Sequence, residues 1–302
     1  MVDNLSTDDS LARARQAFPA VTFIANDFNA GWGVGCNIGI RATRSEFIAI
    51  INNDAHLDSR CIEEMAAAIR RRPDYGACAS LILLWDEPDT MEVAGIVIYR
   101  DGSSIGRGRL APATAYAESD EVFCANDCCC LYRRAMVDDI GLYDPDFFIY
   151  CDETDMGWRQ QLAGWRCIYN PAATAFHAHS RAAGSYTDFK LFHVERNRIF
   201  LCLKYFPMFS LLASFPVAFH RYLYHAWAAV RGRGALRHYR SDHSMWHGIA
   251  VLARAHWAAL RKTPVMWRRR REFNRRWRIP RGAFKDILRR FGVGPRTMVD
   301  YE

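Results

Sequence analysis

The chain has 302 residues, half of them hydrophobic, which provides for one large domain or a domain with an appendage. Its ten cysteines come without a secretory signal and without paired CxxC motifs, which excludes a zinc-ribbon reading and points to reduced thiols in a cytosolic compartment. The net charge of +7 is unevenly spread: residues 201–302 hold 21 Lys/Arg against 5 Asp/Glu, residues 1–200 hold 19 against 28, and this suggests two jobs.

In chain order, "MVDNLSTDDS" looks like the end of a strand and its turn, whereas an α/β domain normally opens on a complete strand. "AVTFIA" (20–25) is a short apolar strand. The glycine-rich "NDFNAGWGVGCNIGI" (26–40) fails the dinucleotide-binding spacing, because Cys36 stands where the third glycine belongs. It is expected to be a loop that lets backbone approach a ligand, with Asn29 and Asn37 as polar contacts, or else a set of tight turns.

"FIAII" (47–51) is a buried strand that delivers Asn52, Asn53 and Asp54 at its carboxyl end, where open α/β sheets bind ligands. Such oxygen donors suit Mg²⁺ or Mn²⁺, and an Asx turn would use the same residues. A helix follows over 59–73, ended by Pro73, then strands at 76–85, 92–99 and 122–134. Strands alternating with helices predict an α/β fold with a mixed, mainly parallel sheet. The cysteines of "CANDCCC" would alternate faces on a strand and so cannot converge on one metal.

"FIYCDETDMGWR" (147–158) places Asp152, Glu153 and Asp155 at a helix start, with Asp152 able to cap and Gly164 marking the end. Asp155 could pair with Arg159 one turn on. His177 and His179 of "FHAHS" share one face of an extended segment. Beyond residue 200, the uncharged run 205–219 is too short to span a bilayer, and "WRRRREFNRRWRIPR" (267–281) mixes Arg with Trp and Phe. That mixture fits either an anionic membrane surface or a solvated basic tail. No nucleic-acid module accompanies the charge, so no nucleic-acid partner is expected.

Read together and in order, "VDNLSTDDS", "NAGWGVGCNIGI", "FIAIINND", "IGLYDPDFFIYCDETDMGWR", "GWRCIYNPAATAFHAHS" and "ERNRIF" resemble the family 2 glycosyltransferases, most closely the bacterial rhamnosyl- and galactofuranosyltransferase-like branch. The resemblance covers about residues 2–200 and implies a GT-A fold, a dTDP- or UDP-linked sugar donor, a divalent metal and inversion at the anomeric carbon. It implies that Asp3 meets the donor base and that the loop with Asn29, Gly31 and Asn37 lines the nucleotide site beside Asn53. The metal motif falls on Asn52-Asn53-Asp54, with His177 as a further ligand, and the acidic pair falls on Asp152-Glu153.

Relatives usually carry a strand and helix before "VDN" and a Glu-Asp or Asp-Asp pair, where this chain has Asp-Glu. In-line displacement needs one carboxylate as general base, assigned to Glu153 with Asp152 as the other candidate, and a cation to hold the departing diphosphate. The expected product is a sugar, rhamnose or similar, added to a glycan or lipid-linked acceptor at the inner face of the plasma membrane, where the basic region 201–302 attaches the enzyme peripherally. Two other readings are an inactive homologue serving as a binding protein and a nucleotidyltransferase-like enzyme; the second lacks its basic glycine-rich loop.

Overall fold

A computed structural model describes residues 1–178, 187–231, 245–280 and 282–300. His179 and residues 232–244 of the basic stretch lie outside the described residues.

The strands are β1 (Val2–Asp3), β2 (Ile24–Ala25), β3 (Phe47–Ile51), β4 (Ala55–Leu57), β5 (Tyr75–Leu84), β6 (Met91–Val93), β7 (Ile96–Ile98), β8 (Ser104–Gly106), β9 (Asp120–Val122), β10 (Cys129–Arg133) and β11 (Arg166–His177). The helices are α1 (Ser10–Ala17), α2 (Trp32–Arg41), α3 (Cys61–Arg70), α4 (Arg134–Ile140), α5 (Asp152–Leu162), α6 (Asp188–Tyr205), α7 (Met208–Val230), α8 (Met245–Asn274), α9 (Ala283–Arg290) and α10 (Pro295–Asp300).

Seven strands form the central sheet in the order β3-β10-β5-β11-β4, with β6 on β5 and β9 on β11; β1 and β2 pair in a small sheet of their own. The sheet is mixed, as expected, but the parallel majority is not there. Only β11 and β5 pair in parallel within it, because β10 is inserted antiparallel between β3 and β5. The apolar run 92–99 is split between β6 and β7, and 122–134 between β9 and β10, so each predicted strand is two. Every residue of β5 but the last is buried, as a strand covered on both faces requires. Cys129 and Cys130 do face opposite ways: one sulfur lies 3.9 Å from Cys61 and the other 3.6 Å from the Asp127 carboxylate.

From Trp32 on the glycine-rich stretch is not a loop but helix α2, while residues 26–31 before it are irregular. Its glycines bring that helix against the segment before α5. A Cβ on Gly31 would lie 2.4 Å from the Phe148 carbonyl oxygen, and one on Gly33 2.8 Å from Asp152 Oδ1. Low intrinsic helix propensity of glycine hides such an element from sequence reading, since close packing rather than propensity decides it.

Helix α5 is buried on all sides except at Glu153. The C-terminal helices pack onto it. Phe284 of α9 stacks on Trp158 at 5.1 Å between centroids, and Arg278 N–H donates to the Leu162 carbonyl. Arg270 of α8 donates to the carbonyls of Leu203 and Phe206. The basic stretch 267–281 is therefore in good part a clamp on the α/β core rather than a free tail.

Candidate active site

Two groups of polar side chains meet at the carboxyl ends of the strands. The first begins where β3 ends. The Asn52 N–H donates to the Cys128 carbonyl, and the turn carries Asp54 beside β11, where His177 is in register with Ala55. His177 Nε2 lies 3.1 Å from Asp54 Oδ1 and 3.5 Å from Asn52 Nδ2. Its Nδ1 is 2.7 Å from Glu92 Oε2 on β6. A buried carboxylate on Nδ1 fixes the ring so that Nε2 faces Asp54, the arrangement that orients metal-binding histidines. Burial works to lower the His177 pKa, yet Glu92 and Asp54 together raise it above the usual value.

The donor set fits a hard divalent cation. Asn52 Oδ1 is buried and has no hydrogen-bond partner among the described residues, an amide oxygen on the residue whose Nδ2 faces His177. Two neighbouring ligands of an octahedral ion with bonds of about 2.1 Å lie roughly 3 Å apart, close to the observed separation. Among the described residues no group of three or more His, Cys, Asp or Glu could hold a metal. The protein would thus supply few ligands and leave the rest to phosphate oxygens, as Mg²⁺ and Mn²⁺ sites on nucleotides do. Asn53, one residue away, is exposed.

The second group is at the start of α5. Phe148, Tyr150 and Cys151 have φ of 69°, 65° and 61°, left-handed values that cost strain in non-glycine residues. Helix α6 holds this strained segment in place. Asn197 Nδ2 lies 2.8 Å from the carbonyl oxygens of both Ile149 and Tyr150, and Arg196 Nη2 donates to that of Phe147 at 2.6 Å. The N-cap is Cys151 with no side-chain cap, so Asp152 does not cap as expected.

Instead Asp152 is 2% exposed, and neither of its oxygens has a hydrogen-bond partner among the described residues. Burial, then the charges of Glu153, Asp127 and Asp155, push its pKa well above the ordinary carboxylate range. Glu153 alone in α5 is partly exposed, and it accepts the Thr154 hydroxyl at 3.2 Å. Burial and then the Asp127 charge raise its pKa to about 7.

Asp127 is a third carboxylate, missed by sequence reading. Its Oδ1 accepts from the hydroxyls of Tyr132 and Tyr143 at 2.8 and 2.9 Å, while Oδ2 has no partner. It precedes Cys128, whose carbonyl receives the Asn52 N–H, so one turn joins the acidic group to the Asn52–Asp54–His177 group. Nothing local marks Glu92, since its partner His177 is distant in sequence.

Asp155 belongs to neither group. It is buried in the core, paired with Arg159 at 2.8 Å, with the Lys204 ammonium, and with the Tyr205 hydroxyl at 2.6 Å. Asn37 also turns inward, spending both amide atoms on the Tyr143 backbone at 2.9 Å. Asp3 accepts from the backbone and hydroxyl of Ser6 in a local turn. Asn29 Oδ1 accepts from the Gly31 N–H, and the hub of this corner is the unforeseen Asn4, bonded to Asn26, Asn29, Ala30 and Gly31. Two surface cavities of about 410 and 480 Å³ lie elsewhere, one beside Arg41 and Arg134, the other beside Lys204 and Arg269.

The fold is that of the GT-A glycosyltransferases. A crystal structure of GalNAc-T7 with UDP, GalNAc and Mn²⁺ superposes with a TM-score of 0.56 at 11% identity, over 80% of this chain and 47% of that one. A mannosyltransferase from Pyrobaculum calidifontis, in complex with GDP-Man and Mn²⁺, has a TM-score of 0.47 at 14% identity, over 91% and 75%. In sequence, residues 1–141 match the family "Glycosyl transferase family 2". An N-acetylglucosaminyl-diphospho-decaprenol L-rhamnosyltransferase of Mycobacterium tuberculosis is 26% identical over 208 residues, covering 61% of this chain and 67% of the relative. Residues 1–141 are thus similar to the family 2 glycosyltransferases, and the chain is similar to a rhamnosyltransferase among them.

Proposed function

We propose that the protein is an inverting, metal-dependent glycosyltransferase. It moves rhamnose or a related sugar from a dTDP- or UDP-linked donor to a glycan or lipid-linked acceptor in cell-surface polysaccharide synthesis. One observation carries the reading: a carboxyl pair at the start of α5, its Asp152 without a hydrogen-bond partner among the described residues, is joined through the Asp127–Cys128 turn to an Asn52–Asp54–His177 donor set.

Asp54, His177 and the Asn52 amide oxygen would hold Mg²⁺ or Mn²⁺, which supplies positive charge to the departing diphosphate. Glu92 keeps His177 turned to this task. Glu153 takes the acceptor hydroxyl proton. It is the more open of the pair, and a carboxyl poised near neutrality is the best compromise between being ionised and being basic. Asp152, enclosed and held protonated, keeps a second negative charge away from the base. The corner built by Asn4, with Asp3, Asn29, Gly31 and Asn53, lies toward the nucleotide. The relative named for a diphospho-decaprenol substrate supports a lipid-linked acceptor, and with it a peripheral position at the cytoplasmic face of the plasma membrane.

The test is transfer by the purified full chain, offered dTDP- and UDP-sugars with Mn²⁺. Activity abolished by chelation, restored by Mn²⁺ and lost in Asp54→Ala is the expected result. Transfer indifferent to chelator would overturn the metal's part. Nucleotide binding without any turnover would return the chain to the binding-protein reading.

A further inference from the structure

Helix α7 is two-sided, and among the described residues one side is buried and the other exposed. Leu211, Ser214, Ala218, Arg221, His225 and Ala228 recur every three to four residues and are buried. Between them Phe209, Leu212, Phe215, Phe219, Leu223 and Trp227 form a stripe of large apolar side chains in solvent, Phe209 being 79% exposed. Helix α8 repeats the pattern with Trp246, Ile249, Trp257 and Leu260. The two helices approach where the rings of Tyr222 and His256 lie 6.5 Å apart, and the next residue of each, Leu223 and Trp257, is on the exposed stripe. Together they make one apolar surface, larger than the scattered hydrophobics of an ordinary soluble face.

This surface is held firmly. Arg221, on the buried side of α7, is bonded to Asp101 at 2.7 Å and to Glu195 at 2.5 Å, and the Tyr222 hydroxyl donates to Glu195 at 2.7 Å. With its inner side ion-paired to the core, α7 cannot cross a bilayer, and no helix among the described residues is long and apolar enough to do so. Lying on one is open to it.

Charge selects the occupant. The exposed stripe of α7 carries no ionised residue, and α8 has seven Lys/Arg against the single Glu272. Arg254, Arg261 and Arg268 are exposed on α8 near its aromatics. Aromatic rings seat at the headgroup level of a bilayer, while basic side chains are drawn to anionic lipid. A second copy of the chain is the poorer fit, because a two-fold pairing of this surface would set basic residues against basic residues.

We infer that the α7–α8 face is a monotopic docking surface for an anionic lipid bilayer, into which its aromatic side chains insert. The inference rests on the proposed membrane-borne acceptor, and within the region 201–302 it gives the attachment to the apolar α7–α8 face.

The experiment is flotation of the full chain with phosphatidylglycerol–phosphatidylcholine vesicles and with phosphatidylcholine alone. The native protein should float with the anionic vesicles, and its tryptophan fluorescence should be quenched by brominated lipid in them. The triple variant Phe209→Ser, Phe219→Ser, Trp257→Ser alters only exposed side chains, and an unchanged melting curve would confirm its fold. It should partition at least about tenfold less, as expected when three inserted aromatics are lost. Equal partition of variant and native protein, equal binding to neutral vesicles, or absence of bromolipid quenching would overturn the inference. So would a concentration-dependent dimer that the variant abolishes in the absence of vesicle binding. UDP binding in the presence of Mn²⁺, measured in parallel, separates the two claims. Vesicle binding lost with UDP binding kept defeats only the docking surface, and the reverse defeats only the proposed activity.

Discussion

Asp152 and Asp155 stand three positions apart on one helix and meet opposite fates. Asp155 is saturated by Arg159, Lys204 and Tyr205, whereas Asp152 has no partner for either oxygen. Within this one acidic turn Asp152 and Glu153 are raised in pKa, while Asp155 is spent on Arg159 and on cross-links to α6. Buried polar groups are ordinarily paired, so the exception marks a place where stability gives way to chemistry. A count of acidic residues cannot distinguish these carboxyls; the partners do.

The contrast is broken most severely from the paired side. Asp155→Asn takes from buried Arg159 its carboxylate partner and leaves Lys204 only Asp144, and should cost about 3–5 kcal/mol of stability, read by denaturant titration. A loss under about 1 kcal/mol would mean the cluster is solvated after all. At the other group, His177→Ala should weaken Mn²⁺ affinity by roughly tenfold to a hundredfold with little change in melting temperature, and Glu92→Gln should show a smaller effect of the same kind. Isothermal titration with Mn²⁺ and UDP measures both.

Asn197→Ala frees the carbonyls of Ile149 and Tyr150, so the strained segment should relax. Transfer should fall about tenfold or more as the acid pair loses its position, with UDP–Mn²⁺ binding retained. The smallest effect sharpens the contrast by pH. The Glu153 pKa is higher in the folded state than in a free chain, so its contribution to stability is present in acid and lost as pH rises through about 7. Glu153→Gln should therefore raise the melting temperature at pH 8 relative to native protein, and do so less at pH 5.

What the sequence made legible followed from local pattern. Strand β3 falls on the predicted 47–51, and the helix predicted over 59–73 is α3 at Cys61–Arg70. The acidic helix start, and the meeting of Asp54 with His177, were legible from ordered motifs. What escaped was set by contacts distant in the chain. The glycines of α2 read as a loop because their function is to admit Phe148 and Asp152. Asn37 read as a ligand contact because its acceptor and donor lie on Tyr143, more than a hundred residues away. Asp127 and Glu92 carried no signal at all, and neither did the packing of Phe284 on Trp158, which needs the folded core.

The central claim is that Glu153 is the proton acceptor and Asp152 its neutral neighbour. It is tested most directly by transfer rates of Glu153→Gln and Asp152→Asn at saturating donor, with UDP–Mn²⁺ binding as the control. The account predicts that Glu153→Gln loses on the order of 10²–10⁴-fold in rate while binding nucleotide normally, and that Asp152→Asn stays within about tenfold of native. An active Glu153→Gln beside an inactive Asp152→Asn would contradict it and hand the base to Asp152.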